Sequence, residues 1–477
     1  MKPTRLKSFV LVIVLIAATG AAMAYSAGFG KSWLSGLISG SGVHISPIGS
    51  GSVTLKGRLV QDKVLQGSDG RVHLALTLQA DERFDPQSSE ARNVDMVIVL
   101  DRSGSMKGRK INDARQAVLH LLSGLTPKDR FALITYSDRV QQISGLKYVS
   151  ADHGKQLKAL VSGIRAGGGT NLGDGLQTGI NVMLAAPENG NARKLILISD
   201  GLANKGITDS TRLGQMAGVA VEKEFAVSTV GVGHDFNEQL MTTIADRGAG
   251  NYYFLENPLA FAEVFQQEFF YTRATVASNV SIAFPLGSGI SISDAAGYPI
   301  TVQKNHAVFY PGDLRTGQTR KLFLTLQVPT GETGSFELGR IKARYRFNGQ
   351  TMETDLDGSY KIACVKDQRE VQASIDKTSW TEKVIREDYN RLKQEVAADI
   401  KAGKKQKALG RIHSYYREQE SLNAAVGSAE VTQNLDRDLK DLQQRVEDTF
   451  EGSPSAVSRK QKSNSKTLQY EGYKGRR

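Results

Sequence analysis

Between residues 92 and 273, short apolar runs alternate with longer stretches in which apolar residues recur every three to four positions. The short runs are typical of strands buried on both faces, and the longer stretches are typical of amphipathic helices. The predicted strands are 95–100, 129–136, 194–198, 226–231 and 250–254. The predicted helices are 111–123, 155–164, 172–185, 210–223, 237–247 and 258–273. This alternation predicts an α/β domain, in which helices cover both faces of a doubly wound, largely parallel sheet.

The segments on either side of this domain have the two-residue alternation of half-buried strands. Residues 53–81 place two such runs around a turn-forming sequence, which predicts a β-hairpin. Residues 274–366 contain seven strand-like runs punctuated by Gly, Asn and Pro, which predicts a β-sandwich. Because the two segments share one pattern, we expect the hairpin segment, 53–91, to join the sandwich. The α/β domain, 92–273, would then be an insertion between two parts of one β domain.

The last part of the chain is predicted to be helical and then irregular. Residues 379–450 begin with a sequence that fits a capping box, and their apolar residues then recur at helical spacing. This pattern predicts a helical hairpin or bundle, which would pack internally or serve self-association and partner docking. Residues 451–477 are basic and rich in Ser, Lys, Gln and Gly, and we expect a disordered tail there.

Composition and the N-terminal residues bear on location. Basic residues and then an apolar run precede Ala22-Met23-Ala24, so residues 1–24 are predicted to be a signal peptide, or alternatively an uncleaved anchor. Residues 25–52, rich in Gly and Ser, are predicted to be a linker. We expect an exported protein that is periplasmic, secreted or anchored, with membrane contact only through an uncleaved N-terminal segment. The net charge of +12 is diffuse, and we expect no nucleic-acid partner.

Oxygen-bearing side chains follow two of the predicted buried strands. Asp101, Ser103 and Ser105 come after the first strand, Asp200 comes after the third, and a glycine triplet between them presents Thr170. Right-handed crossovers bring the carboxyl ends of parallel strands to one edge of the sheet, where α/β proteins bind ligands. A set of oxygen donors without thiol or imidazole suits a hard cation such as Mg²⁺, Mn²⁺ or Ca²⁺.

The spacing of these residues resembles the metal-ion-dependent adhesion site of von Willebrand factor type A domains. The D-x-S-x-S of 101–105, the later Thr170 and the strand-Asp-Gly ending at Gly201 match its order. The wider arrangement of the chain is similar to that of bacterial exported type A proteins and, more loosely, inter-alpha-trypsin inhibitor heavy chains. The resemblance implies a divalent cation, foremost Mg²⁺, and a partner protein that presents Asp or Glu to it.

The resemblance also implies distinct roles within the set. Asp101 is the only carboxylate expected to contact the ion directly, and Asp200 is expected to act through water or through the serines. Because one carboxylate compensates only part of the charge of the ion, the ion would keep one coordination position open for the partner's carboxylate. Three basic residues beside the site, Lys107, Arg109 and Lys110, could add attraction for an acidic partner.

Two neighbouring acids and one histidine have simpler interpretations. Asp174 is expected to be a helix-start acid rather than a second ligand. His234 and Asp235 follow a predicted strand at the same edge, but a single histidine gives no metal or catalytic pattern.

We therefore predict a protein-binding, adhesion or assembly-scaffold module at the cell envelope, and not an enzyme. Two alternatives remain open. In a metal-dependent phosphoester hydrolase, Asp101 would be the nucleophile, but the second acid expected two residues later is replaced by Ser103. An accessory subunit of an ATP-driven machine is the other alternative, and the export signal argues against it.

Overall fold

The structure is a computed structural model that describes residues 53–82, 92–287, 289–347 and 349–476. The predicted signal peptide and linker, residues 1–52, lie outside these ranges. In the described ranges, no helix is both long and apolar enough to span a bilayer.

The described residues form nineteen strands and thirteen α-helices. The strands are β1 (Val53–Leu59), β2 (Lys63–Leu65), β3 (Arg71–Ala80), β4 (Val94–Asp101), β5 (Arg130–Tyr136), β6 (Val140–Tyr148), β7 (Ala192–Ser199), β8 (Ala226–Val232), β9 (Ala249–Leu255), β10 (Thr275–Pro285), β11 (Ser291–Ala295), β12 (Thr301–Gln303), β13 (His306–Phe309), β14 (Leu314–Arg315), β15 (Thr319–Gln327), β16 (Gly334–Glu337), β17 (Lys342–Phe347), β18 (Gln350–Asp355) and β19 (Lys361–Val365). The helices are α1 (Arg109–Gly124), α2 (Ala151–Ser162), α3 (Leu172–Ala185), α4 (Ser210–Glu222), α5 (Glu238–Arg247), α6 (Phe261–Arg273), α7 (Gln368–Ala373), α8 (Lys377–Glu382), α9 (Tyr389–Lys401), α10 (Lys405–Val426), α11 (Ala429–Gln433), α12 (Leu439–Thr449) and α13 (Pro454–Gly475). Two π-helical turns, Lys383–Asp388 and Asn434–Asp438, join α8 to α9 and α11 to α12.

The α/β part of the chain contains a six-stranded sheet in the order β6-β5-β4-β7-β8-β9. Neighbouring strands from β5 to β9 pair in parallel, whereas β6 pairs antiparallel with β5. The sequence analysis missed β6. Its residues are half-buried or exposed, as suits an edge strand, and so it lacks the apolar run that marks the other strands.

Helices cover both faces of this sheet. All eight residues of the central strand β4 are buried. Ile98 and Leu100 pack in one apolar cluster with α1, α2 and α6, whereas Val97 and Val99 pack in a second cluster with α3, α4 and α5. The predicted α/β fold is therefore confirmed, and a strand buried on both faces explains its unbroken apolar run.

The β region is built from chain segments on both sides of the α/β part. β3 pairs antiparallel with β1 and, over its whole length from Arg71 to Gln79, with β15. The sheets are β1-β3-β15-β11, β12-β13-β10-β17-β18 with β14 beside β10, and β16-β19-β2. One apolar cluster holds side chains from all three, among them Leu74, Ile282 and Ile362. The predicted sandwich stays a prediction, because the strands divide among three sheets.

The C-terminal helices lie against the β region. Trp380 and Val384 share an apolar cluster with Ala75 of β3 and Phe323 of β15. The helical part begins earlier than predicted, and the N-cap of α8 is Asp376, which accepts a hydrogen bond from the backbone N–H of Ser379 at 2.8 Å. Ser379 is therefore inside the helix, and the expected capping box does not form.

The prediction of a disordered tail at 451–477 is wrong for most of that segment. Residues 454–475 form α13, a helix of 22 residues that begins after the N-cap Ser453. Leu468 and Tyr473 of this helix are buried. Composition favoured disorder because the apolar residues are few, but those few meet preformed surfaces of α9 and β9.

Candidate metal centre

The candidate metal centre lies at the carboxyl edge of the six-stranded sheet. Asp101 is the last residue of β4, and Asp200 directly follows β7. These two strands pair in parallel, with Leu100 beside Ile198, so both acids emerge at the same edge. Both carboxylates are fully buried. A buried charge needs compensation by hydrogen bonds, by an opposite charge or by a metal ion.

A chain of hydrogen bonds connects the two acids. The backbone N–H of Ser103 donates to Asp101 Oδ1 at 2.7 Å, and the Ser199 hydroxyl donates to Asp101 Oδ2 at 2.9 Å. The hydroxyls of Ser103 and Ser105 are 3.0 Å apart, and Ser105 donates to Asp200 Oδ1 at 2.7 Å. The two acids are therefore connected through the backbone N–H and hydroxyl of Ser103 and the hydroxyl of Ser105.

Thr170 lies beside these residues, on the loop before α3. The N–H of Gly104 donates to the carbonyl of Gly168 at 2.9 Å, which ties this loop to the one after β4. A methyl group added to Gly201 would lie 3.4 Å from Ser105 Oγ and 3.6 Å from Thr170 Oγ1. Both hydroxyls therefore face the same point. The structure thus brings all five predicted residues together.

Burial dominates the electrostatics of Asp101. Burial raises the pKa of the Asp101 carboxyl from 3.8 to about 6, although hydrogen bonds from Ser103 and Ser199 oppose the rise. The neighbouring charge of Asp200 raises it further. A cation beside Asp101 would offset this desolvation cost. The donors are carboxylate and hydroxyl oxygens, which fit a hard divalent cation.

The described part of the chain has no cluster rich in imidazole, thiol or carboxylate ligands. No group of three or more His, Cys, Asp or Glu residues is placed there to hold an ion. Cys364 is buried in β19, within the core of the β region.

The family model of the von Willebrand factor type A domain matches residues 95–267. This part of the chain is a von Willebrand factor type A domain. An uncharacterised protein of Synechocystis is 25% identical over 288 residues, which cover 58% of this chain and 66% of the relative. Inter-alpha-trypsin inhibitor heavy chain H1 of Sus scrofa is 25% identical over 295 residues, 61% of this chain and 30% of that protein. The chain thus spans less than two thirds of either relative.

The similarity to solved structures covers more of the chain than the type A domain. A von Willebrand factor type A protein from Catenulispora acidiphila has a TM-score of 0.66 at 17% identity, over 88% of this chain and 96% of that one. The ArnB paralog VWA2 from Sulfolobus acidocaldarius has a TM-score of 0.53 at 18% identity, over 87% and 98%. These likenesses concern the fold.

Lys110 of the type A domain makes a contact that the sequence analysis did not predict. Its ammonium donates to Asp200 Oδ2 at 2.5 Å, inside the site, instead of facing outward to an acidic partner. Arg109 is 3.4 Å from Asp113, one turn along α1, whereas Lys107 is exposed. A sequence signal for this contact did exist, because Lys110 lies in the first turn of the helix that follows the metal-site loop.

The remaining candidates at this edge of the type A domain make local contacts. Asp174 lies in the first turn of α3 and accepts a hydrogen bond from the side-chain amide of the N-cap Asn171 at 2.7 Å, which is the position expected of a helix-start acid. His234 lies 3.2 Å from Glu256 and edge-on to Phe254. Ser199, which holds Asp101, was missed because a serine before an acid has no distinctive pattern.

Proposed function

We propose that the type A domain binds a divalent cation, foremost Mg²⁺, with Mn²⁺ or Ca²⁺ as alternatives. Asp101 and the hydroxyls of Ser103, Ser105 and Thr170 would hold the ion, and Asp200 would act through Ser105. The observation that carries the proposal is the chain of hydrogen bonds that connects the two buried acids at the sheet edge through Ser103 and Ser105. Such a network orients neutral hydroxyls, which would otherwise rotate freely, toward a common point.

The ion would capture a carboxylate from a partner protein. Type A domains typically mediate protein–protein interaction or adhesion. One direct carboxylate leaves most of a divalent charge uncompensated, so an acidic side chain from outside is a favourable further ligand. We therefore propose a binding, adhesion or assembly-scaffold module rather than an enzyme.

Partner capture with and without a chelator tests this proposal. Immobilised wild-type protein and the Asp101→Ala variant are exposed to envelope extracts in the presence of Mg²⁺ or EDTA. Each of the two proteins is also titrated directly with Mn²⁺. We expect that EDTA and Asp101→Ala each abolish both the saturable Mn²⁺ binding and the captured protein. Asp152→Ala, at an exposed acid of α2, is the matched control and should behave as wild type. Capture that neither EDTA nor Asp101→Ala reduces would contradict the proposal.

The enzymatic alternative has a direct assay. If the protein hydrolyses p-nitrophenyl phosphate in a metal-dependent way and Asp101→Ala abolishes this activity, the protein is a phosphoester hydrolase and the binding hypothesis is wrong. We expect no turnover above the Asp101→Ala background, because Ser103 stands where a second acid would be needed two residues after the nucleophile.

We also propose an envelope location and self-association. An envelope position relies on the pattern of residues 1–24 alone, and fractionation of cells that express the full chain would test it. Self-association through the C-terminal helices stays a prediction, which sedimentation of the purified chain at several concentrations can check.

A further inference from the structure

Lys110 lies within the candidate metal centre as a resident cation. Its ammonium is 2.5 Å from Asp200 Oδ2, and its side chain is 25% exposed beside a carboxylate that is fully buried. The other oxygen of Asp200 accepts the hydrogen bond from Ser105 at 2.7 Å. Both oxygens of Asp200 thus have partners, and one partner carries a full positive charge.

Two elements of the type A domain build this position. The first turn of α1 supplies Lys110, and the loop after β8 passes beside the end of its side chain. A methyl group added to Gly233 would lie 3.5 Å from both Cε and Nζ of Lys110, and Gly233 has a φ of +70°. The end of the lysine side chain therefore lies between a buried acid and loop backbone. This position holds the ammonium group close to Asp200.

The charge of the site follows from these contacts. Asp101 and Asp200 together carry two negative charges, and Lys110 offsets one of them. A divalent ion bound here leaves the site with one excess positive charge, which one external carboxylate neutralises. Without Lys110, the ion alone would neutralise the two acids, and an external anion would bring no such gain.

We propose that Lys110 makes tight metal binding depend on an external ligand that carries a single negative charge, of the carboxylate class. The inference rests on the proposed metal function of the site. Lys110 acts here as a positioning and charge-setting residue, and it does not contact the partner. Metal and partner then raise each other's affinity by the same factor, as linkage requires.

Mn²⁺ titration of the full chain, followed by the electron paramagnetic resonance signal of the free ion, tests this role. Titrations of wild type, Lys110→Met and Lys107→Met are run in sodium acetate, as the carboxylate probe, and in sodium chloride at equal ionic strength. A unit charge about 6 Å from a divalent ion changes the affinity for that ion by roughly tenfold even in water. We expect Lys110→Met to bind Mn²⁺ about tenfold tighter in chloride and to lose the gain from acetate that wild type shows.

Matched variants separate charge from structure. Lys107→Met removes an exposed lysine three residues away and should titrate as wild type, and Lys110→Arg keeps the charge and should retain the gain from acetate. Lys110→Gln replaces Lys110→Met if the latter does not fold, because a buried unpaired Asp200 is destabilising.

Two failures are distinguishable. If Asp101→Ala abolishes Mn²⁺ binding but the uncharged Lys110 variant binds no tighter than wild type, the role of Lys110 is overturned and the metal site stands. If no variant shows binding that depends on Asp101, the proposed metal function is overturned, and this inference falls with it.

Discussion

At the scale of single residues, the loop before Thr170 depends most on Gly168 among its three glycines. Gly168 has a φ of +85°, and a methyl group there would lie 2.2 Å from Oδ2 of Asp138. Asp138 in turn accepts the N–H of Gly169 at 3.0 Å, which holds the loop near the carboxyl edge. Gly167 has open space around it. The glycine triplet suggested general flexibility, whereas the structure assigns a specific backbone conformation to Gly168.

Replacing Gly168 with alanine should therefore disturb both the fold and the site. We expect Gly168→Ala to lower the free energy of unfolding by about 1–3 kcal/mol, because the left-handed conformation and the clash both disfavour Cβ. Displacement of Thr170 should also weaken Mn²⁺ binding. Urea unfolding and Mn²⁺ titration measure the two effects, with Gly167→Ala as the matched control. Equal behaviour of the two variants would contradict the role given to Gly168.

The positions of the candidate ligands could be predicted, but their contacts could not. Asp101 and Asp200 each end a recognisable buried strand, and strand ends of a parallel sheet share one edge. The ion pair of Lys110 depends on the rotamer of a long side chain that reaches the loop at Gly233. Such details arise from packing between elements distant in sequence.

At the scale of elements, His73 marks the contact between the β3–β15 sheet and the C-terminal helices. Its Nδ1 is 3.3 Å from the Thr325 hydroxyl. Burial lowers the pKa of His73 from 6.5 to about 2, and the nearby cations Lys383, Arg391 and Arg71 lower it further. The folded protein therefore holds this imidazole neutral over the ordinary pH range.

Acidification should destabilise this interface. Below pH 6.5 the unfolded chain protonates His73 and the folded chain does not, so the stabilisation present above pH 6.5 is lost as the pH falls. Between pH 6.5 and 5 the loss should be about 2 kcal/mol at most. Urea unfolding at pH 7, 6 and 5 measures it. His73→Gln should remove this part of the slope, whereas His413→Gln, at an exposed histidine, should not.

Helix α13 connects the end of the chain to the type A domain. The ring centroids of Tyr470 and Tyr473 lie 5.7 and 5.3 Å from that of Tyr252 on β9. The ammonium of Lys466 donates to the Phe236 carbonyl at 2.7 Å and to Glu238 at 2.8 Å. A few aromatic and charged contacts thus order a segment of polar composition.

Truncation of Tyr473 should weaken this attachment. Because Tyr473 is buried, we expect Tyr473→Ala to cost about 3 kcal/mol in the free energy of unfolding. Tyr473→Phe removes only the hydroxyl, which lies 3.0 Å from Asp246, and should cost about 1 kcal/mol. Hydrogen exchange of α13 provides the local measurement. An unprotected helix in wild type would show that the contacts do not hold it.

At the scale of the whole molecule, the type A domain interrupts the chain of the β region. The strand β3 precedes the domain, and its neighbour β15 follows it. Leu74, Leu76 and Leu78 of β3 are fully buried in the core of the β region. The β region is therefore incomplete without both segments, whereas the clusters of the type A domain come almost entirely from residues 92–273.

Separate fragments should reflect this difference. We expect residues 92–273 to fold alone and to melt cooperatively, since the fragment retains both clusters that cover its sheet. Residues 274–476 should not fold alone, because β15 loses its partner β3 and the core loses the three leucines. Circular dichroism and thermal melts of the two fragments measure this. A cooperative melt of 274–476 would show that β3 is dispensable.

The sequence by itself determined the α/β fold of residues 92–273 and the placement of the five candidate ligands at one edge. Both follow from local patterns, namely buried strand runs, helical periodicity and the rule that parallel strands end together. Only the tertiary structure decided that β6 forms one edge of the sheet, that residues 454–475 are helical and that Lys110 pairs with Asp200. An edge strand, a polar helix and a long side chain carry weak local signals, because their conformations are stabilised by surfaces that other parts of the chain provide.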